Sequence, residues 1–205
     1  MPADRDRAGP IAGVVLAAGS SVRMGTNKLL LELGGESVLR RVVRRVAEAG
    51  LDPVLVVLGH EADRARAELR GLPCSPIVNP DHARGMNTSL GAGIAAIPKE
   101  AIAALVALAD MPLVTPAMMD ELVQRYRRGT APLIVSEYGG IAAPPMLYDR
   151  GLFGELRGLE GDGCGKRAVR RHRAEAAMVP WPAAALGDLD EPADYERVRA
   201  ELGRE

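Results

Sequence analysis

Short apolar runs separated by amphipathic stretches set the rhythm of this chain. Residues 11–16, 54–58 and 103–109 are apolar throughout rather than alternating, as expected of parallel strands buried on both faces. Between the first two, Ser37 heads a helix predicted to reach Ala49, with Val38, Val42, Val43 and Val46 as its apolar stripe and Gly50 after its end. Residues 61–70 predict a charged, solvated helix, and residues 72–78, interrupted by Pro73 and Pro76, a weaker strand near a sheet edge. A helix opens at 85–90 and runs to Ile97; another covers 118–128, with Thr115 better placed than Asp110 to cap it. Strands follow at 133–136 and 142–148, the second broken by Pro144 and Pro145. A glycine-rich loop within 156–172 then opens a basic helix, and a strand near 176–179 precedes the last helix. Strand–helix–strand alternation of this kind predicts an α/β fold. The expected architecture is a three-layer α/β/α sandwich around a mostly parallel, Rossmann-like sheet with right-handed crossovers.

Composition narrows the classes. The 205 residues suit one domain, expected over 10–205 after a charged, disordered leader over 1–9. With 47% hydrophobic residues and no apolar run long enough to span a bilayer, the chain reads as soluble and cytoplasmic, with no membrane partner. Lys and Arg number 26 against 27 Asp and Glu, so no basic excess points to nucleic acid. Aromatics at 3% exclude stacking platforms for single strands. Cys74 and Cys164 have no metal-ligand spacing and read as free thiols; Cys164 has no histidine partner nearby and reads as a small filler.

The candidate chemistry begins where the first strand ends. Leu16 is followed by Ala17, Ala18, Gly19, Ser20 and Ser21, small residues that let backbone N–H groups converge on an anion. Arg23 and Lys28 add two cations. Neither the Walker spacing nor the G-x-G-x-x-G dinucleotide fingerprint is present. A strand, a small-residue loop and two spaced cations describe a triphosphate grip. Asp110 stands at the C-terminal end of a central strand, where open α/β sheets place ligands, and Pro112 re-aims the chain beyond it. A carboxylate facing a triphosphate suits Mg²⁺. Gly85, Met86, Asn87, Thr88 and Ser89 read either as a plain helix cap or as a polar clamp on a nucleotide. Gly161, Asp162, Gly163, Gly165, Lys166 and Arg167 open a helix with N–H groups free for an anion. His172, on that basic helix, reads as solvated. Acids at 188–194 suit a helix start, yet Asp188 and Asp190 flank Leu189 and share one side of an extended segment.

The stretch L-A-A-G-S-S-V-R-M-G-T-N-K over 16–28 resembles the signature L-A-A-G-x-S-x-R-M-G-x-x-K of the molybdenum cofactor cytidylyltransferases, a branch of the molybdopterin nucleotidyltransferase-like family. The resemblance continues through G-M-x-x-S-L at Gly85, D-x-P at Asp110, the Gly-Asp loop at Gly161 and an Asp-x-Asp-x-Pro segment at Asp188. It implies a glycosyltransferase-A-like nucleotidyltransferase fold and transfer of CMP from CTP to the phosphate of molybdenum-molybdopterin. Arg23, Lys28 and Asp110 are then catalytic. Leu16, Ala17, Ala18, Gly19, Ser20, Ser21, Asn79, Gly85, Met86 and Ser89 join Arg23 and Lys28 around the nucleotide. Gly161, Asp162, Gly165 and Lys166 lie on the acceptor side. Mg²⁺ is held by Asp110 with Asp188 or Asp190, and the product passes transiently to a molybdenum enzyme or its chaperone. Two departures stand out: the family's Gly-His-Pro is Gly140-Ile141-Ala142 here, and Glu191 replaces a threonine. Ala18, where the guanylyl branch has glycine, favours CTP over GTP by about 1–3 kcal/mol. Other sugar- or alcohol-phosphate nucleotidyltransferases, and a non-catalytic nucleotide-binding accessory protein, are the alternatives.

Overall fold

The computed structural model describes residues 7–21, 24–161, 163 and 165–203. In chain order the strands are β1 (Ile11–Ala17), β2 (Glu32–Leu33), β3 (Glu36–Ser37), β4 (Val54–Leu58), β5 (Ser75–Val78), β6 (Ala103–Leu108), β7 (Leu133–Tyr138), β8 (Ile141–Asp149) and β9 (Ala177–Trp181). The helices are α1 (Val38–Glu48), α2 (Ala62–Glu68), α3 (Met86–Ala95), α4 (Pro116–Arg128), α5 (Phe153–Arg157), α6 (Lys166–Arg171) and α7 (Pro192–Leu202). Seven strands form one sheet in the order β5-β4-β1-β6-β8-β7-β9, and β2 and β3 form a separate two-stranded ribbon. Within the large sheet β8 alone is reversed, pairing antiparallel with β6 and β7. The expected three-layer, mostly parallel architecture is thus what the chain adopts.

The alternation along β1 shows how one apolar run serves two cores. Ile11, Val15 and Ala17 join the cluster built with α1, α4 and Val198 of α7. Ala12, Val14 and Leu16 join the opposite cluster, with Leu90 and Ile94 of α3, Phe153 and Leu156 of α5, and Ala168 and Val169 of α6. Helices approach β1 closely on both sides. A Cβ on Gly93 of α3 would stand 2.6 Å from Val14 Cγ1, and one on Gly13 would stand 2.7 Å from Val46 Cγ1. Local chemistry starts the helices as expected: Ser37 Oγ accepts the Arg40 N–H at 3.2 Å, and Thr115 Oγ1 accepts that of Met118 at 3.2 Å.

Four expectations change. The edge strand begins at Ser75 rather than Leu72. Pro144 and Pro145 do not break β8; the strand runs through them, with a register shift opposite, between Val135 and Glu137. Arg7, expected within a disordered leader, instead donates to Tyr126 O at 2.6 Å and stacks 4.1 Å from the Tyr126 ring centroid. Finally, His172 is not simply solvated: its Nε2 lies 2.8 Å from Glu155 Oε2. Among the described residues no helix is long and apolar enough to cross a membrane.

Candidate active site

The chain leaves β1 toward β4 on one side and returns through β6 on the other, so the crevice beyond these two strands is a topological switch point. Leu16 lies in register with Leu108, and the Ala109 N–H donates to Leu16 O at 3.0 Å. The small-residue loop after β1 and Asp110 after β6 therefore emerge side by side. Ser21, in the left-handed region at φ 51°, turns that loop, and its Oγ accepts the Lys28 N–H at 3.2 Å. Asn27 fixes the same bend: its Oδ1 accepts the Leu29 N–H at 3.2 Å and its Nδ2 donates to Glu61 Oε2 at 3.0 Å.

These contacts aim Lys28 at two carboxylates. Its Nζ lies 2.5 Å from Asp110 Oδ2 and 3.2 Å from Asp190 Oδ1. Burial opposes the Lys28 charge, but Asp110 and then Asp190 outweigh it, and its pKa rises above the ordinary value. Asp190 arrives from the far end of the chain because the Leu189 N–H donates to Asp110 O at 3.1 Å. Leu189 is buried, and Asp188 and Asp190 flank it. Burial first, then the charges of Asp190 and Asp110, raise the Asp188 carboxyl above its ordinary range. Asp194 is accounted for structurally: its Oδ2 accepts the N–H groups of Asp190 at 3.2 Å and Glu191 at 2.9 Å, ahead of α7.

A cleft of about 870 Å³ lies over this arrangement, within the ~300–1,000 Å³ usual for small-molecule sites. Leu16, Ala17, Ala18, Gly19, Ser20 and Ser21 line it together with Lys28, Gly85, Met86, Ser89, Asp110 and Asp190. Asn79 is not among the lining residues. It is buried behind them, its Nδ2 donating to Thr88 Oγ1 and Ser89 Oγ, each at 2.9 Å. Gly161, Gly165 and Lys166 lie off the cleft proper, with Gly161 pressed against Gly85. Arg23, Asp162 and Cys164 fall outside the described residues.

Sequence reasoning missed His82, Ala83 and Arg84, which also line the cleft. The position of His82 depends on Gly59, directly after β4. A Cβ there would meet His82 Cβ at 2.6 Å and Ala18 Cβ at 2.8 Å, so glycine is what lets His82 sit beside Ala18. The expected Mg²⁺ ligands are Asp110 with Asp188 or Asp190. Lys28 lies between Asp110 and Asp190, and among the described residues no group of three His, Cys, Asp or Glu could hold an ion. A cation placed here would have to complete its shell with phosphate oxygens and water.

Comparisons agree with this geometry. Residues 13–176 match the MobA-like NTP transferase domain. The purine catabolism protein PucB of Bacillus subtilis is 31% identical over 201 residues, covering 92% of this chain and 96% of that protein. A probable molybdenum cofactor guanylyltransferase of Opitutus terrae is 35% identical over 129 residues, 62% of this chain and 61% of its own. The crystal structure of an Rv0371c homologue from Mycobacterium sp. strain JC1 superposes with a TM-score of 0.82 at 31% identity, covering 98% of both chains. Matched over 13–176 and along nearly the whole of a relative 31% identical to it, the chain belongs to the MobA-like NTP transferase family.

Proposed function

We propose that this cleft transfers the cytidylyl group of CTP to the terminal phosphate of molybdenum-loaded molybdopterin. The observation that carries the reading is the Lys28–Asp110–Asp190 cluster facing a floor of small residues that includes Ala18. An acceptor phosphate oxygen attacks the α-phosphorus; the bond from that phosphorus to the bridging oxygen breaks, and pyrophosphate leaves with the electron pair. The acceptor is already ionised, so no general base is required and the protein's work is positioning and charge neutralisation. Lys28 and, by the resemblance, Arg23 take the triphosphate and offset charge developing on the α-phosphate and the leaving group. Bound Mg²⁺ would supply further charge neutralisation at the phosphates. Asp110, with Asp188 or Asp190, would hold it. Backbone groups of 17–19 hold the sugar and base, and the Ala18 methyl occupies room that a larger ring would need.

The Opitutus relative favours a second reading, guanylyl transfer. Pyrophosphate release with Mg²⁺ and molybdenum-loaded molybdopterin, CTP and GTP side by side, separates the two. Release with CTP alone is expected, and Ala18→Gly should move the CTP/GTP ratio of kcat/KM toward GTP by about 10-fold or more, the effect of one methyl in a pocket. Release with GTP alone would overturn the base assignment while keeping the catalytic residues. No release with either would favour another acceptor or an accessory role.

A further inference from the structure

Among its valines, α1 buries a cation: Arg45 is 9% exposed. A guanidinium leaves water at a cost unless its donors find acceptors. Here Nη1 donates to Pro112 O at 2.7 Å and to Val114 O at 3.2 Å. Both carbonyls belong to the turn that carries the chain from Asp110 to Thr115, the residue that caps α4. The Asp110 carbonyl at the head of that turn accepts the Leu189 N–H at 3.1 Å. Alternate carbonyls, at 110, 112 and 114, are thus taken from outside the turn, the first by the tail of the chain and the other two by α1. Leu113 stands between the two that Arg45 holds, and the tail closes against it: a Cβ on Gly187 would stand 2.5 Å from Leu113 Cδ1. Arg45 therefore grips the turn on which both Asp110 and the segment over 187–190 rest.

We propose that Arg45 is a positioning residue for the carboxylate cluster, setting where Asp110, and with it Asp190, meet Lys28. Both bonds leave one guanidinium nitrogen, whose two N–H groups point in fixed directions, so the peptide planes after Asp110 are oriented from a helix packed in the core. Asp110 Oδ2 lies 2.5 Å from Lys28 Nζ, and a misplacement of about 1 Å at such a contact can cost about 10²-fold in rate. Asp190 follows, because Leu189 hangs from the Asp110 carbonyl and Gly187 packs on Leu113. What the cluster does once placed rests on the transfer reading of the cleft; that Arg45 places it does not.

A double-mutant cycle on the full chain, read as Tm in EDTA, tests the placement without nucleotide. Arg45→Met removes the donors and keeps much of the stem. If Arg45 sets the Lys28–Asp110 contact, Lys28→Met should lower Tm by roughly half as much or less once Arg45 is gone. Full additivity would mean that Arg45 only packs α1 against the turn, and would overturn the inference. Pyrophosphate release with Mg²⁺, molybdenum-loaded molybdopterin and CTP or GTP gives the second readout. In Arg45→Met, at a temperature where it is folded, kcat should fall about 10-fold or more with the nucleotide KM kept within about threefold, and Arg45→Lys should recover part of the loss. An unchanged kcat, or a loss confined to KM, would also overturn it. Arg45→Lys takes the place of Arg45→Met in the cycle if the methionine variant does not fold. No release by the unmodified protein would overturn the transfer reading, while the Tm cycle still decides the role of Arg45.

Discussion

Replacing Lys28 by methionine removes the cation lying 2.5 Å from Asp110 and 3.2 Å from Asp190 while keeping most of the aliphatic stem. The Asp110 pair is well shielded, at 13% and 18% side-chain exposure, and a charge-assisted hydrogen bond of that kind contributes about 1.5–3 kcal/mol. Asp190 is 40% exposed, so screening limits its share to about 0.5–1 kcal/mol. Repulsion between the stranded carboxylates adds to the loss, and the retained stem offsets part of it. A net cost of about 2–3 kcal/mol, at about 2–4 °C per kcal/mol for a chain of this size, lowers Tm by roughly 4–12 °C in EDTA. Mg²⁺ should then separate the two proteins. In the unmodified chain Lys28 already neutralises the carboxylates, so Mg²⁺ without nucleotide shifts Tm little. In Lys28→Met the freed carboxylates take the ion, and Tm rises with its concentration by mass action. Turnover should still fall by about 10²–10³-fold, the scale of losing one preorganised charge stabiliser. An unchanged or higher Tm in EDTA would refute the charge balance described here. Equal Mg²⁺ shifts in both proteins would refute the idea that lysine and cation compete for the same oxygens.

Three further outcomes follow from the geometry. Gly85→Ala forces a side chain into φ 112°, ψ 159° and against the Gly161 backbone; strain and overpacking together should cost about 2–4 kcal/mol and weaken nucleotide binding, read by thermal melts and calorimetry. Gly19→Ala differs, since its Cβ would meet nothing within 4 Å and its φ is not positive; Tm should hold or rise slightly while nucleotide affinity drops, and a loss of Tm would show that the loop cannot take a methyl. Glu36 accepts from Arg44 Nη2 at 2.7 Å and from Arg44 Nε at 3.3 Å. Those bonds, outweighing its partial burial, hold its pKa below the ordinary 4.5. The resulting stability is complete above that value and disappears as pH falls through the depressed one. Glu36→Gln should therefore cost about 1 kcal/mol at pH 7 and progressively less in denaturant melts below about pH 4.5; a pH-independent difference would contradict the ion pair.

What could be read from the residues alone was the part governed by local periodicity. β1, β4 and β6 are buried on both faces, so they appear as unbroken apolar runs, and Asp110 is visible as the polar residue that ends one of them. The small residues over 17–21 similarly announce the loop that lines the cleft after β1. The roles of polar residues that turn inward were not legible. Asn79 and Ser89 both look like ligand contacts in the sequence, yet Asn79 spends its amide on Thr88 and Ser89 and stands behind the cleft. Asn87 reads as a cap or a clamp, and its partners Glu160, Gly161 and Gly165 lie beyond any local pattern. His82 was hidden for a related reason, since its place depends on the absence of a side chain at Gly59, on a different element. The reversal of β8 is a matter of tertiary pairing, and the proline pair that suggested a break lies opposite a register shift that accommodates it.

The hydrogen bond from the Leu189 N–H to Asp110 O ties the tail of the chain to the middle of the sheet through main-chain atoms, beside the buried Leu189 side chain. Lys28, Asp110 and Asp190 are consequently made at three well-separated times as the polypeptide emerges from the ribosome. A nascent chain acquires Lys28 and the loop after β1 early and its first carboxylate midway, and Asp190 comes only after the sheet has its last strand. The same backbone tie makes this closure indifferent to which side chain occupies position 189, so long as it can be buried. Site assembly is thereby a late readout of synthesis: a chain stopped before Asp190 presents a lysine and Asp110 without the second carboxylate that flanks them.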